Sequence, residues 1–200
     1  MSSLRIFSLR TQSALFIALI LAACCLIASA QTQLSSRYKK WLDEDVSLII
    51  TPPERADFQN LSSDDQREKF IIDFWERRNP NPGTPENKFK EEHYRRLAYA
   101  NIHFAFTDKK DKSTPGWKTD RGRIYILYGQ PDSIDNHGGG GYQLASGVKA
   151  ATDPYELWYY KSIPGIGQDV SVRFVDHCRC GDFQQSGEIE SGQTPRGPDN

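Results

Sequence analysis

The chain has 200 residues, with 25 basic and 26 acidic side chains and 38% hydrophobic residues, enough for one or two small domains and too few for a multidomain assembly. A formal charge of −1 supplies no overall field that would draw the molecule to nucleic acid or to an anionic membrane surface, so no nucleic-acid partner is expected. Four cysteines in such a length exclude a disulfide-dense scaffold.

The first thirty residues stand apart. Arg5 and Arg10 precede an apolar run over residues 14–27, and Ala28-Ser29-Ala30 follows it, the layout of a secretory signal peptide over residues 1–30. The apolar run falls short of the roughly twenty residues that span a bilayer. Cleavage is expected before Gln31. An alternative lies in Leu21-Ala22-Ala23-Cys24, which looks like a lipobox and would leave Cys24 as a lipidated N-terminus. Cys25-Leu26-Ile27, however, continues the apolar run where a polar tether is expected. Removing the signal takes away two arginines and shifts the formal charge to −3. The expected location is therefore periplasmic or secreted, with membrane contact only through the signal or through the alternative lipid anchor at Cys24.

Helical signals dominate the first half of the remaining chain. Residues 37–46 carry Tyr38, Trp41 and Leu42 at helical spacing. Thr51 followed by Pro52 reads as an N-cap with proline in the first turn, opening a short helix toward Leu61. Ser63-Asp64-Asp65-Gln66 fits a capping box, and Phe70/Phe74 with Ile71/Trp75 give the next helix one apolar stripe up to Arg78. The prolines of Asn79-Pro80-Asn81-Pro82-Gly83 stop it. A third helix is predicted over residues 85–104, with Phe89, His93, Leu97, Ala100 and Phe104 on one face and Glu91/Arg95 and Glu92/Arg96 as solvated i,i+4 pairs.

The period then changes. Residues 107–115 read as a polar loop, residues 123–128 as a β-branched and aromatic strand ended by Gly129-Gln130-Pro131, and residues 132–153 as a long glycine-rich loop. Residues 155–161 and 170–175 are predicted strands of a hairpin, and residues 181–184 a short last strand. From residue 185 to 200 the chain is polar and expected to be disordered. Helices first and strands last define an α+β domain over residues 36–184, with N-terminal helices packed on a small antiparallel sheet of three or four strands.

Gly116-Trp117-Lys118-Thr119-Asp120, extended through Arg121-Gly122-Arg123 to Asp132, resembles the naming motif of the GWxTD-domain family of exported bacterial proteins. Phe74-Trp75-Glu76-Arg77-Arg78, residues 87–101 and residues 158–176 are also similar to that family. The resemblance implies bacterial export and carries over no catalytic residue. The chain departs from the family pattern at His177-Cys178-Arg179-Cys180, where cysteines are not typical.

Candidate chemistry is sparse. No Gly-x-Ser-x-Gly elbow, HExxH or P-loop is present, and no cofactor or metal is expected. Asp120, beside Trp117, Arg121 and Arg123, is a candidate general acid/base, with His137 as its candidate partner; the competing reading of Thr119 and Asp120 is turn chemistry. A carboxylate pair of Asp120 and Asp132 is disfavoured, because the strand expected between them keeps its ends roughly 20 Å apart, whereas glycosidase carboxylates lie within about 10 Å. Asp132, Asp135 and His137 before Gly138-Gly139-Gly140-Gly141 read as a glycine loop, and His93 and His103 as packing residues. Cys178 and Cys180 are candidates for a local or intermolecular disulfide, strained by its one-residue spacer and therefore reducible. Metal chelation suits that spacer poorly.

Strand alternation over residues 155–161 sets Tyr155, Leu157 and Tyr159 on one face and Glu156, Trp158 and Tyr160 on the other. Trp158 and Tyr160, with Trp117, Thr119, Asp120, Arg121 and Arg123, form the candidate binding surface. The functional expectation is an exported, non-catalytic binding or assembly domain of the cell envelope, whose partner is an envelope protein or a glycan. The alternative is a hydrolase of an envelope polymer using Asp120.

Overall fold

A computed structural model describes residues 34–108, 110–143 and 149–192. The signal segment, Cys24 and the last eight residues lie outside them. The chain divides into two compact units, residues 1–40 and 41–200; the described part of the first holds the helical turn α1 (Ser36–Lys40). Among the described residues no helix is long and apolar enough to cross a membrane.

The second unit opens with a π-helical turn, Trp41–Asp45, and two capped helices. In α2 (Pro52–Asn60) the Thr51 hydroxyl accepts from the Glu54 N–H while the Glu54 carboxylate returns to the Thr51 N–H. In α3 (Asp64–Glu76), Ser63 and Gln66 repeat the box. Each box satisfies two of the N–H groups that a helix start leaves without partners. Trp41, Phe58, Phe70 and Phe74 pack their rings together between these elements.

Glu54 also ties α2 to the end of α3. Its carboxylate accepts from both terminal nitrogens of Arg78, at 3.0 and 2.7 Å, and from Arg77 at 3.0 Å. Burial opposes its charge, but the bonds from Arg78, the Thr51 backbone and Arg77 outweigh burial and bring its pKa from 4.5 to about 2. A carboxyl depressed in the folded state stabilises it above pH 4.5, and that stabilisation is lost as the pH falls toward 2. Denaturation midpoints are therefore expected to drop across this window. Glu54→Gln should flatten the drop and cost about 2 kcal/mol at pH 7; urea titrations at pH 7, 4 and 2.5 measure both effects.

Helix α4 (Lys88–His103) starts three residues later than its sequence suggests, because Asn87 supplies the cap through Lys90 N–H and its amide reaches the Trp75 carbonyl. His93 is buried, desolvation lowers its pKa, and its Nε2 lies 2.6 Å from the Asp45 carbonyl, which can only accept, so Nε2–H donates that bond. A two-residue ladder, β1 (Phe106–Thr107) with β2 (Ser113–Thr114), bridges to a 3-10 turn, Gly116–Lys118.

Residues 123–128 are not the strand their β-branched and aromatic content suggests; they belong to helix α5 (Asp120–Tyr128). Ile124, Tyr125 and Ile126 are all buried, so α5 is apolar around most of its girth, and strand propensity yields to that burial. Arg96 of α4 donates to the Ile126 and Leu127 carbonyls at the C-terminal end of α5, where Gly129 turns the chain with φ of 87°.

The main sheet is antiparallel in the order β3-β6-β7-β8, formed by β3 (Ser133–His137), β6 (Tyr155–Ile163), β7 (Gly167–Val175) and β8 (Gln184–Gln185). A second ladder, β4 (Gly140–Gln143) with β5 (Lys149–Thr152), shows that much of the expected 132–153 loop is strand. The fold is thus α+β. Leu97, Ala100 and Phe104 from α4 and its end, Ile124 to Ile126 from α5, and Trp158, Tyr160, Val170, Val172 and Phe174 from the sheet form one core. Residues 185–192 are not wholly unstructured: Ser171 and Glu190 exchange backbone bonds, Gly192 N–H donates to the Gln168 carbonyl, and Ile189 packs on the core.

Candidate functional site

The Gly-Trp-x-Thr-Asp stretch is a helix start pressed against another helix. A Cβ on Gly116 would lie 1.8 Å from the Ala100 carbonyl oxygen of α4, and one on Gly122 would lie 1.8 Å from the Gly116 oxygen. Only hydrogen fits at either position. Thr119 is the N-cap: its buried hydroxyl donates to the Gly116 carbonyl at 2.8 Å and accepts from Gly122 N–H at 3.0 Å. Trp117 N–H donates to Asn101 of α4. Asp120, an acid in the first turn of α5, accepts from Gln185 N–H of β8 at 2.8 Å and from Arg123 at 3.0 Å. These residues lock α5 onto α4 and onto the sheet edge. Thr119→Ala is expected to cost about 2 kcal/mol by chemical denaturation, because it removes the cap and leaves the buried Gly116 carbonyl without its side-chain donor.

Behind this turn lies a cleft of about 420 Å³. Tyr99 and Phe104 from the α4 side, Arg121 and Tyr125 from α5, the Gln130-Pro131-Asp132 connection, Ser133, Ile134 and Asn136 from β3, and Glu156 and Trp158 from β6 line it. Tyr99 and Tyr125 stack at 4.4 Å, and Phe104 leans on Trp158 at 5.5 Å. Ile134 pairs with Trp158 and Asn136 with Glu156 across the β3–β6 ladder; directly opposed residues share a face, which brings both β3 side chains to the cleft.

Its polar centre is Arg121 with Glu156. Their side chains, each 14% exposed, form an ion pair at 2.9 Å. Arg121 also donates to the Gly181 carbonyl and sits over the rings of Phe104 and Phe183, at 5.2 and 4.2 Å. The second Glu156 oxygen accepts from the Trp158 indole N–H at 2.9 Å. Ion, rings and indole thus hold one another before any ligand arrives.

Of the binding candidates, Arg121 and Trp158 line the cleft; Trp117, Thr119, Asp120, Arg123 and Tyr160 do not. Trp158 and Tyr160 do not face solvent. At 1% and 4% exposure they lie on the face the helices cover, and Tyr160 donates its hydroxyl to the Gly129 carbonyl. Alternation grouped them correctly, but the choice of covered face depended on the unrecognised helix α5. Asp120 and His137 are not brought together: His137 contacts Asp135 at 3.0 Å and stacks on Tyr155 at 4.1 Å. The interval between Asp120 and Asp132 is mostly helix, so the extended-strand spacing does not apply; Asp132 instead accepts from Lys161 N–H at 2.8 Å.

Tyr99, Tyr125, Ile134 and Asn136 have no site role in the sequence reading, and Glu156 is placed there on the face of Trp158 and Tyr160 without one. A signal for α5 was present in Thr119, an N-cap residue, followed by Asp120 and closed by Gly129, and it would have pointed to Tyr125. Cys178 and Cys180 are joined by a disulfide. With Asp176 they form a group whose ligand atoms lie within 4.8 Å of one another, but bridged sulfurs are not thiolate ligands.

The described residues define a small α+β domain assembled around a Gly-Trp-x-Thr-Asp helix start, with a preformed cleft beside the first strand of its sheet. A model of the GWxTD domain matches residues 35–141, more than half of the chain, and the chain belongs to that family. No curated protein and no solved structure matches it.

Proposed function

We propose that the chain is an exported, non-catalytic binding domain of the bacterial cell envelope, which holds an extended segment of a partner protein along β3 with side chains seated in the adjoining cleft. The observation that carries this reading is the position of β3. Among the described residues it pairs on one side only, with β6, and an edge strand leaves a row of backbone donors and acceptors for an added strand. The same strand contributes Ile134, 45% exposed, to the cleft mouth. Alternate residues of an added strand point the same way, so one or two of its side chains would reach the aromatic wall.

Charge selects among such segments. Arg121 and Glu156 neutralise each other, which leaves Asp132, exposed and paired with the solvated Lys161 at 3.7 Å, as the remaining carboxylate of the cleft lining. A segment with an apolar or aromatic residue two positions from a lysine or arginine fits best. Export rests on the layout of residues 1–30; N-terminal analysis of the protein from fractionated cells is expected to find Gln31, whereas a lipidated Cys24 would make it a membrane-tethered protein.

The alternative is a hydrolase of an envelope polymer with Asp120 as general acid/base. Both Asp120 oxygens are engaged, by Gln185 and Arg123, and Asp120 is not among the cleft's lining residues. Under the binding reading Asp120→Asn costs about 1 kcal/mol of stability and leaves peptide binding unchanged. Loss of a hydrolytic activity on cell-wall material in that variant, with its fold intact, would favour the alternative.

A further inference from the structure

Asp176 follows β7 and is 4% exposed. Its N–H donates to the Pro154 carbonyl, its Oδ1 accepts from Cys180 N–H at 3.1 Å, its Oδ2 accepts from Gly181 N–H at 2.8 Å, and its carbonyl accepts from Arg179 N–H. On the outside of the turn, His177 and Arg179 reach Asp153 at 2.9 and 3.7 Å. The turn from residue 176 to 181 is therefore closed by hydrogen bonds around a buried carboxylate. A bridge across the single residue between Cys178 and Cys180 adds little to it, because closing so short a loop removes little chain entropy.

The two sulfurs are unequal. Cys178 is exposed and Cys180 half-buried, and an attacking thiolate must reach the sulfur it bonds to from the side opposite the sulfur that leaves. Cys178 Sγ also lies 3.1 Å from Asp176 Oδ1. In the disulfide that sulfur carries no proton and the contact is not a hydrogen bond; in the dithiol its S–H donates to the carboxylate.

We propose that Cys178 and Cys180 are a thiol–disulfide exchange site for polypeptides that present two cysteines, with Cys178 as the sulfur attacked. A substrate thiolate attacks Cys178 Sγ; the mixed disulfide forms, the Cys178–Cys180 bond breaks, and the electron pair leaves on Cys180 Sγ, which takes a proton from solvent. The second substrate thiolate attacks the substrate sulfur of the mixed disulfide, closing the substrate's own disulfide and expelling Cys178, which is protonated and donates to Asp176. The substrate loses two electrons and two protons, and the Cys178–Cys180 pair gains them. Exchange with a small-molecule disulfide such as oxidised glutathione regenerates the bridge.

The test uses the purified protein, reduced and oxidised glutathione, and a short synthetic peptide with two cysteines. Acid quenching, alkylation and intact mass are expected to show the pair passing from bridged to dithiol across millimolar glutathione mixtures, with the thermal transition of the reduced protein retained. Cys180→Ser should accumulate a glutathione adduct at Cys178 about tenfold faster than Cys178→Ser accumulates one at Cys180. The bridged protein should oxidise the peptide faster than oxidised glutathione does alone. A bridge that resists a large excess of reduced glutathione, a reduced protein that unfolds, equal rates in the two serine variants, or peptide oxidation at the background rate would each overturn the assignment.

Discussion

Gly116→Ala is expected to abolish the native fold or to cost it about 3 kcal/mol or more. The added Cβ would stand 1.8 Å from the Ala100 oxygen, 2.5 Å from its carbonyl carbon and 2.9 Å from the Asn101 Cα. All three are backbone atoms of α4, so no side chain can swing away; relief requires α4 and the 3-10 turn to part, which opens the core around Ala100 and Phe104. Gly122→Ala meets the Gly116 oxygen at the same 1.8 Å and should behave alike. Gly138, with nothing within 4 Å of its built Cβ, is the control, and Gly138→Ala is expected to stay within about 0.5 kcal/mol of the parent. Urea midpoints at pH 7 measure all three. An intact, equally stable Gly116→Ala protein would remove the account of the motif as a close-contact device.

Glu156→Ala carries the second large effect, about 3 kcal/mol of lost stability. It strands the Arg121 guanidinium between two aromatic rings without its carboxylate and removes the acceptor of the Trp158 indole N–H. Breaking one side of such a pair costs far more than the pair contributes, because the remaining charge stays desolvated. Replacing both members with apolar residues, Arg121→Met with Glu156→Leu, should therefore recover most of the loss, as seen by denaturation. If the polar centre serves binding, this double variant regains stability and still fails to bind an added strand. Recovery of both properties would make the ion pair pure scaffold.

Local chemistry was readable wherever a residue's own neighbours in the chain decide its conformation. Thr51 and Ser63 start α2 and α3 as written, because a capping box is completed within four residues. The hairpin from Tyr155 to Val175 followed from its alternation and its Pro-Gly turn. Helix α5 did not follow, since Ile124, Tyr125 and Ile126 prefer strands in isolation and become helical when packed against both α4 and the sheet. That one reassignment displaced the site: with α5 covering the sheet, Trp158 turns from a presumed ligand platform into the floor of a cleft, and Glu156, which alternation set on the same face without a role, becomes its polar centre. Strand β3 was hidden for a related reason. Ser133-Ile134-Asp135-Asn136-His137 has no run of apolar residues, and an edge strand with exposed faces has little pattern to reveal it.

The most direct test of the binding account is hydrogen–deuterium exchange on the protein without and with extended peptides selected from a display library. The account predicts that selected peptides pair an apolar or aromatic residue with a basic one, and that binding slows exchange over residues 130–137 and over the segment containing Tyr99. Protection confined to other segments, or affinity unchanged when Ile134 is replaced by Lys at the cleft mouth, would contradict it.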